Sequence, residues 1–181
     1  SWSVSASERN SYQAVCRVLV ASRPELLREG MGDLWDSEKL YTGDQHITYA
    51  GRPLHSLDRA YWRVQLWDRS DQLRENTEYE TGEFTLGLLN EKDWKASWIT
   101  DAERSLTTQS PLPLFRKTFT ITSKPIQRAM VHCCGLGHFE LFLNGAKVGD
   151  HVFDPGWTDY KDTCLYVPFD VTSHIVQIGR A

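Results

Sequence analysis

The chain has 181 residues, enough for one large domain or for two small ones that each bury a core. Its 20 basic and 24 acidic residues leave a net charge of −4 with no dense Lys/Arg run, which argues against a nucleic-acid binder. No apolar stretch approaches the ~20 residues that cross a bilayer, and seven each of Trp, Tyr and Phe among β-branched residues favour strands over helices.

Residues 1–88 read as short strands separated by turn signals. "YQAVCRVLVAS" places Tyr12, Ala14, Cys16, Val18 and Val20 on one face, with Val15, Arg17 and Leu19 on the other. It runs into "SRPELLREG", where Ser22 and Glu25 form a capping-box pattern, Pro24 suits the first turn and Gly30 supplies the stop. One or two turns of helix are expected there. "GDLWDSEKL" and "QHITYAG" read as further strands, the second ending in the turn "GRPL". "RAYWRVQLWD" gives the firmest strand, with Trp62, Val64 and Leu66 opposed to Tyr61, Arg63, Gln65 and Trp67. "DRSDQL" is a polar loop, and "GEFTLGLL" closes the set. The fold expected for residues 1–88 is an all-β sandwich of the immunoglobulin or fibronectin type III kind.

Residues 89–113 are polar and aperiodic, and they carry Trp94 and Trp98. Two tryptophans suit a linker laid against a domain surface rather than a free one. The β pattern resumes in 114–181. "LFRKTFTI" aligns Phe115, Phe119 and Ile121 on one face. Phe139, Leu141 and Leu143 alternate up to Asn144-Gly145, a strong type I′ turn signal, and Ala146 to Val148 return. "CLYVPFDV" sets Leu165, Val167, Phe169 and Val171 inward, while Pro168 removes a ladder donor and marks an edge. About five strands are too few for a jelly roll of about eight, so this domain reads as truncated. Together with the missing initiator Met and the ending "IGRA", this suggests a piece of a longer protein, with no signal peptide ahead of Ser1.

Four scattered cysteines make neither a disulfide scaffold nor a zinc site, and buried reduced thiols are expected. Cys133 and Cys134 must point to opposite faces if they lie in a strand. The six histidines share no metal-ligand spacing, and His132 reads as a wall residue of its strand. "GLGHF" leads into a strand, so it fails the context of a dinucleotide loop.

"GDLWDSEKL", "YAGRPLHSLDRAYWRVQLWD", "DWKASWI", "LFRKTFTI" and "GLGHFELFLNGAKVGDHVFDPGWTDYKDTCLYVPFDVT", taken in order, resemble the N-terminal region of bacterial α-L-rhamnosidases. The resemblance covers nearly the whole chain. It implies a fibronectin type III-like sandwich at 1–88, a linker at 89–113 packed on the domains, and part of a jelly-roll carbohydrate-recognition domain at 114–181. In that family an (α/α)₆ barrel further along carries the catalytic acid and base and removes terminal rhamnose with inversion. The resemblance therefore implies a glycosidase parent that meets rhamnose-containing glycans outside the cytoplasm, secreted, periplasmic or on the cell surface. It implies that this stretch is non-catalytic.

Within "DPGWTDYKD" three roles compete. Asp154, Asp159 and Asp162 lie close in sequence, but an inverting glycosidase needs two carboxyls about 6.5–9.5 Å apart across a scissile bond. Hydrogen bonding within a turn is the ordinary role of Asp in such a loop, so no catalytic residue is expected. Calcium is an open expectation: Asp154, Asp159 and Asn144 offer hard oxygens, but the spacing is not that of an EF-hand and no metal site is required. For sugar stacking, Trp157 and Tyr160 are the candidate rings, with Glu140, Asp154 and Asn144 as polar partners. The competing role for Trp157, and the favoured one on sequence, is to plug the gap between two sheets.

The functional expectation is thus a structural and substrate-recognition region of a glycosidase. A carbohydrate-binding module acting by itself and an architectural adaptor of a cell-surface protein remain alternatives. An open sheet edge also invites a homodimer.

Overall fold

A computed structural model describes residues 1–4, 13–67, 81–101, 112–121 and 125–175. The expected polar loop "DRSDQL" and the tail beyond residue 175 lie outside the described residues. Among the described residues the chain is all-β apart from one five-residue helix and two 3₁₀ turns, and it divides into two compact units, Ser1–Trp98 and Ile99–Ala181.

The first unit is built on β1 (Val15–Ala21), whose run VCRVLVA is buried along almost its whole length. It pairs antiparallel with β3 (Arg59–Trp67), from Val15 opposite Trp67 to Ala21 opposite Tyr61. Flanking these are β2 (Trp35–Asp36) and β4 (Gly82–Thr85), giving the order β2-β1-β3-β4. Both faces of β1 are used. Val18 and Val20 pack with Ala60, Trp62, Val64 and Phe84 on one side. Leu19 and Ala21 pack with Leu27, Leu26 and Tyr61 on the other. Each fully buried Leu here contributes roughly 1.5–3 kcal/mol. Gly82 is required where it stands, because a Cβ would lie 2.2 Å from Nε1 of the cross-strand Trp62.

Several local expectations change. Helix α1 (Pro24–Arg28) forms, with Pro24 in its first turn and Gly30 at φ +75 after it. Ser22 does not cap it. Its backbone N–H and its hydroxyl both donate to Asp33, at 2.8 and 2.7 Å, so the capping box is absent and Arg23 occupies the cap position. The strand expected across "GDLWDSEKL" shrinks to two residues. Glu38 takes φ 55, and the Ser37 hydroxyl, not a ladder carbonyl, accepts the Val18 N–H at 2.8 Å. Pairing resumes only at Leu40, which exchanges both backbone bonds with Cys16. "QHITYAG" forms no strand. Ile47 and Tyr49 do face the core, and Tyr49 meets Trp35 edge-on at 5.4 Å. Apolar alternation placed those side chains correctly without providing a ladder partner.

In the second unit, β5 (Met130–Cys134) pairs antiparallel with β8 (Tyr166–Asp170). Between them in sequence lies the hairpin of β6 (Phe142–Leu143) and β7 (Ala146–Lys147). Asn144 at φ 51 and Gly145 at φ 82 make the type I′ turn, which requires positive φ at both positions. The core gathers Val148, Phe169 and Val171 with Val131, Cys133, Phe139, Leu141 and Val167. Pro168 sits opposite His132, on the outward phase of β8. Leu165 is not inward: it precedes the ladder and is 43% exposed. "LFRKTFTI" is no strand among the described residues, and Leu114, Phe115 and Phe119 are exposed.

Candidate functional site

The local structure of "DPGWTDYKD" follows from its hydrogen bonds. The Asp154 carbonyl accepts the Phe139 N–H at 2.9 Å, which joins the loop to the chain entering the hairpin. Buried Pro155 follows it, and the chain then swings outward. Asp159 organises the next turn: its carbonyl accepts from Asp162 and Thr163, and its carboxylate accepts the Lys161 N–H at 3.1 Å.

This arrangement decides the position of Trp157. Its side chain does not plug a gap between sheets, since the residue is 78% exposed. The expected core role is therefore corrected. The indole lies against the His138 ring, 6.2 Å between centroids and 22° between planes, and Trp157 is not among the residues packed on the Val148–Phe169–Val171 core. His138 also meets Phe153 edge-on at 5.1 Å. His138, Phe153 and Trp157 thus form one outward cluster of rings.

Phe153 takes φ 60 while its side chain is exposed. A bulky L-residue rarely adopts this backbone conformation, which costs on the order of 1–3 kcal/mol, and no core contact accounts for it here. Sequence reasoning did not single out His138 or Phe153. The signal for His138 was the outward phase of the strand, on which His138, Glu140 and Phe142 alternate with the inward Phe139, Leu141 and Leu143. For Phe153 there was none, because its placement depends on the backbone turn.

The nominated polar residues are placed as follows. Glu140 pairs with Lys147 at 2.7 Å across the hairpin. Asp154 bonds His151 Nδ1 at 2.7 Å, and the His151 ring leans on core Phe169 at 5.6 Å. Asn144 donates its amide to the His174 carbonyl at 2.9 Å, away from the ring cluster. Tyr160 is partly exposed in the turn after Trp157. Asp154 lies beside the cluster through its neighbour Phe153, whereas Asn144 belongs to the hairpin tip.

Elsewhere, burial pushes the pKa of His132 down. Hydrogen bonds from Thr172 hold the Asp170 carboxyl below its usual range, helped by Arg128. Among the described residues, no three His, Cys, Asp or Glu side chains converge to hold a metal ion, and no helix is long and apolar enough to cross a membrane. In the first unit, Asp93 bonds the Ser56 hydroxyl, which also accepts the Leu89 N–H at 2.8 Å. The start of the 89–113 segment is thereby pinned to the 55–58 turn, while Trp98 is exposed.

Residues 1–90 match the family described as Rha78A-like, N-terminal immunoglobulin domain, and residues 124–180 match the α-L-rhamnosidase N-terminal domain. An α-L-rhamnosidase of Formosa agariphila is 34% identical over 97% of this chain, which covers 20% of that protein. The solved α-L-rhamnosidase of Dictyoglumus thermophilum is 38% identical with a TM-score of 0.85, over 97% of this chain and 21% of the other. That of Aspergillus terreus, at 21% identity and a TM-score of 0.68, covers 93% of this chain and 19% of its own and shares the fold. The chain therefore spans about a fifth of the length of the proteins it matches.

Proposed function

The chain belongs to the α-L-rhamnosidase family as its N-terminal, all-β region, and from that premise we propose that it serves a glycosidase of terminal α-L-rhamnose without itself cutting the bond. Its role in this reading is architectural in the first unit and substrate-recognising in the second. The observation that carries the second role is the outward ring cluster of His138, Phe153 and Trp157, with Phe153 held at positive φ. Exposed aromatic faces take the apolar face of a pyranose, and carboxylates beside them accept its hydroxyls. Asp154 and Tyr160 flank the cluster in sequence, with Glu140 on the same outward phase of the hairpin strand. The parent acts on glycans outside the cytoplasm in this proposal.

Isothermal titration of the chain with L-rhamnose, with and without calcium, tests the recognition role. Saturable heat that disappears in Trp157→Ala supports it. Absence of heat from the unaltered chain under both conditions removes it, and a response confined to calcium adds a metal through Asp154 or Asp159. Incubation with a chromogenic α-L-rhamnoside tests the non-catalytic role, since turnover above an enzyme-free blank would sink it.

An architectural reading has its own support. Glu140, Asp154 and Asn144 each have a partner within the fold, namely Lys147, His151 and the His174 carbonyl. A polar group already bonded gains less from a sugar hydroxyl. Self-association through an open sheet edge is a further part of the proposal, and light scattering showing a monomer would remove it.

A further inference from the structure

We propose that Cys134 and Cys164 are a modification site, a thiol pair that closes to a disulfide under oxidising conditions and clamps the Trp157-bearing loop to β5, while Cys133 takes no part. The pairing follows from register. Cys134 lies opposite Tyr166 at the end of the β5–β8 ladder, and Cys164 comes two residues before Tyr166, in the irregular chain that leads into β8. A ladder continued by two residues would make them diagonal neighbours, with Cα atoms about 7–8 Å apart and the Cβ atoms closer. A disulfide spans about 4.4–6.8 Å between Cα atoms, so the Cys164 end must move by about an ångström.

That movement is accessible. Cys164 precedes β8 in irregular chain, and its thiol makes a long contact to the Tyr160 carbonyl at 3.9 Å. Cys133 points the other way, into the core with Val148, Phe169 and Val171. Cys16 is fully buried in β1 of the first unit. All four thiols are free in the structure, and Cys134 and Cys164 are each half-buried rather than sealed. Burial raises the pKa of Cys134, and the charge of a Cys164 thiolate raises it further, which accords with two sulfurs near enough to interact.

With oxidised glutathione as the oxidant, a thiolate of the pair attacks one glutathione sulfur and expels a glutathione thiolate. The second protein thiolate then attacks the mixed disulfide at the protein sulfur, forming the Cys134–Cys164 bond and releasing a second glutathione. Two thiol protons are lost, and the two electrons reduce the glutathione disulfide. The closed bond would hold the segment carrying Trp157 and Tyr160 against the outward face of β5.

The test treats the whole chain with oxidised glutathione, digests it with trypsin and identifies linked peptides by mass spectrometry. The expected product joins residues 129–147 to residues 162–180, is reversed by dithiothreitol, persists in Cys133→Ala, and is lost in Cys134→Ser and Cys164→Ser. Fragmentation of the linked wild-type peptide assigns the bond to residue 133 or 134 even if a variant fails to fold. A bond from Cys133, or glutathionylated thiols with no internal link, would overturn the proposal.

Discussion

Replacing Trp157 and Phe169 by alanine, in separate variants, distinguishes a ring presented to solvent from a ring that fills a core. Trp157 is 78% exposed, so about a fifth of its surface is covered, and its ring stacks near His138. A fully buried Trp removes at most ~250 Å² from water, so the covered part is ~50 Å², worth about 1 kcal/mol at ~25 cal/mol per Å². Phe169 is 7% exposed and meets Phe139 edge-on at 6.3 Å, the His151 ring, Val148 and Val171. Emptying that site costs about 3–5 kcal/mol, a large share of the stability of so small a unit. The assay is urea unfolding followed by circular dichroism, combined with hydrogen exchange of the β5 amides, which reports the second unit alone. Trp157→Ala is expected to leave β5 protection nearly intact, and Phe169→Ala to abolish most of it. If Trp157→Ala proved as costly as Phe169→Ala, the exposed placement of the indole and the recognition site built on it would both be wrong.

Three further outcomes are expected. Asn144→Ala keeps positive φ without a residue suited to it, at roughly 1–2 kcal/mol, and loses the bond to the His174 carbonyl, whereas Asn144→Gly loses only the bond. Urea midpoints should therefore fall in the order unaltered, Gly, Ala, and a reversal of the last two would refute the turn assignment. Burial lowers the His132 pKa, so the folded state prefers the neutral ring; that stability is present above the unfolded value of about 6.5 and is lost as pH falls through the folded one. His132→Phe should flatten this limb of the stability–pH curve, and an unchanged slope would contradict the cause. The Arg17 guanidinium, bonded through two nitrogens to Asp36 at 2.8 and 2.5 Å, holds that carboxyl below its usual range, so the pair's contribution is present above about pH 3.9 and lost as pH falls through the folded value. Both side chains are about a third exposed, so Arg17→Met should cost at most ~1 kcal/mol, and less in high salt; a salt-independent loss would point to packing instead.

The paired strands β1 and β3 were legible because their apolar phases are long and both faces are filled. The hairpin at Asn144-Gly145 was legible because only a few residue types tolerate positive φ at both turn positions. Tertiary contacts overrode local signals elsewhere. Ser22 had the spacing of a cap, yet Asp33 lay in reach of both its donors. Ile47 and Tyr49 had the alternation of a strand, yet side-chain burial against Trp35 provided no backbone partner. Among the candidate site residues, "DPGWTDYKD" was recognisable at once, but the direction of Trp157 was not.

By itself, the sequence determined the all-β character, the family, the division into an immunoglobulin-like first part and a second β unit, and the opposite faces of Cys133 and Cys134. These rest on periodicity, turn chemistry and ordered motifs, all of which are local along the chain. Only the tertiary structure decided that Trp157 faces outward on His138, that Phe153 joins it at positive φ, and that Glu140, Asp154 and Asn144 each hold an internal partner. Those outcomes depend on which distant segments meet, as when the Phe139 N–H reaches the Asp154 carbonyl and joins the loop to the chain entering the hairpin.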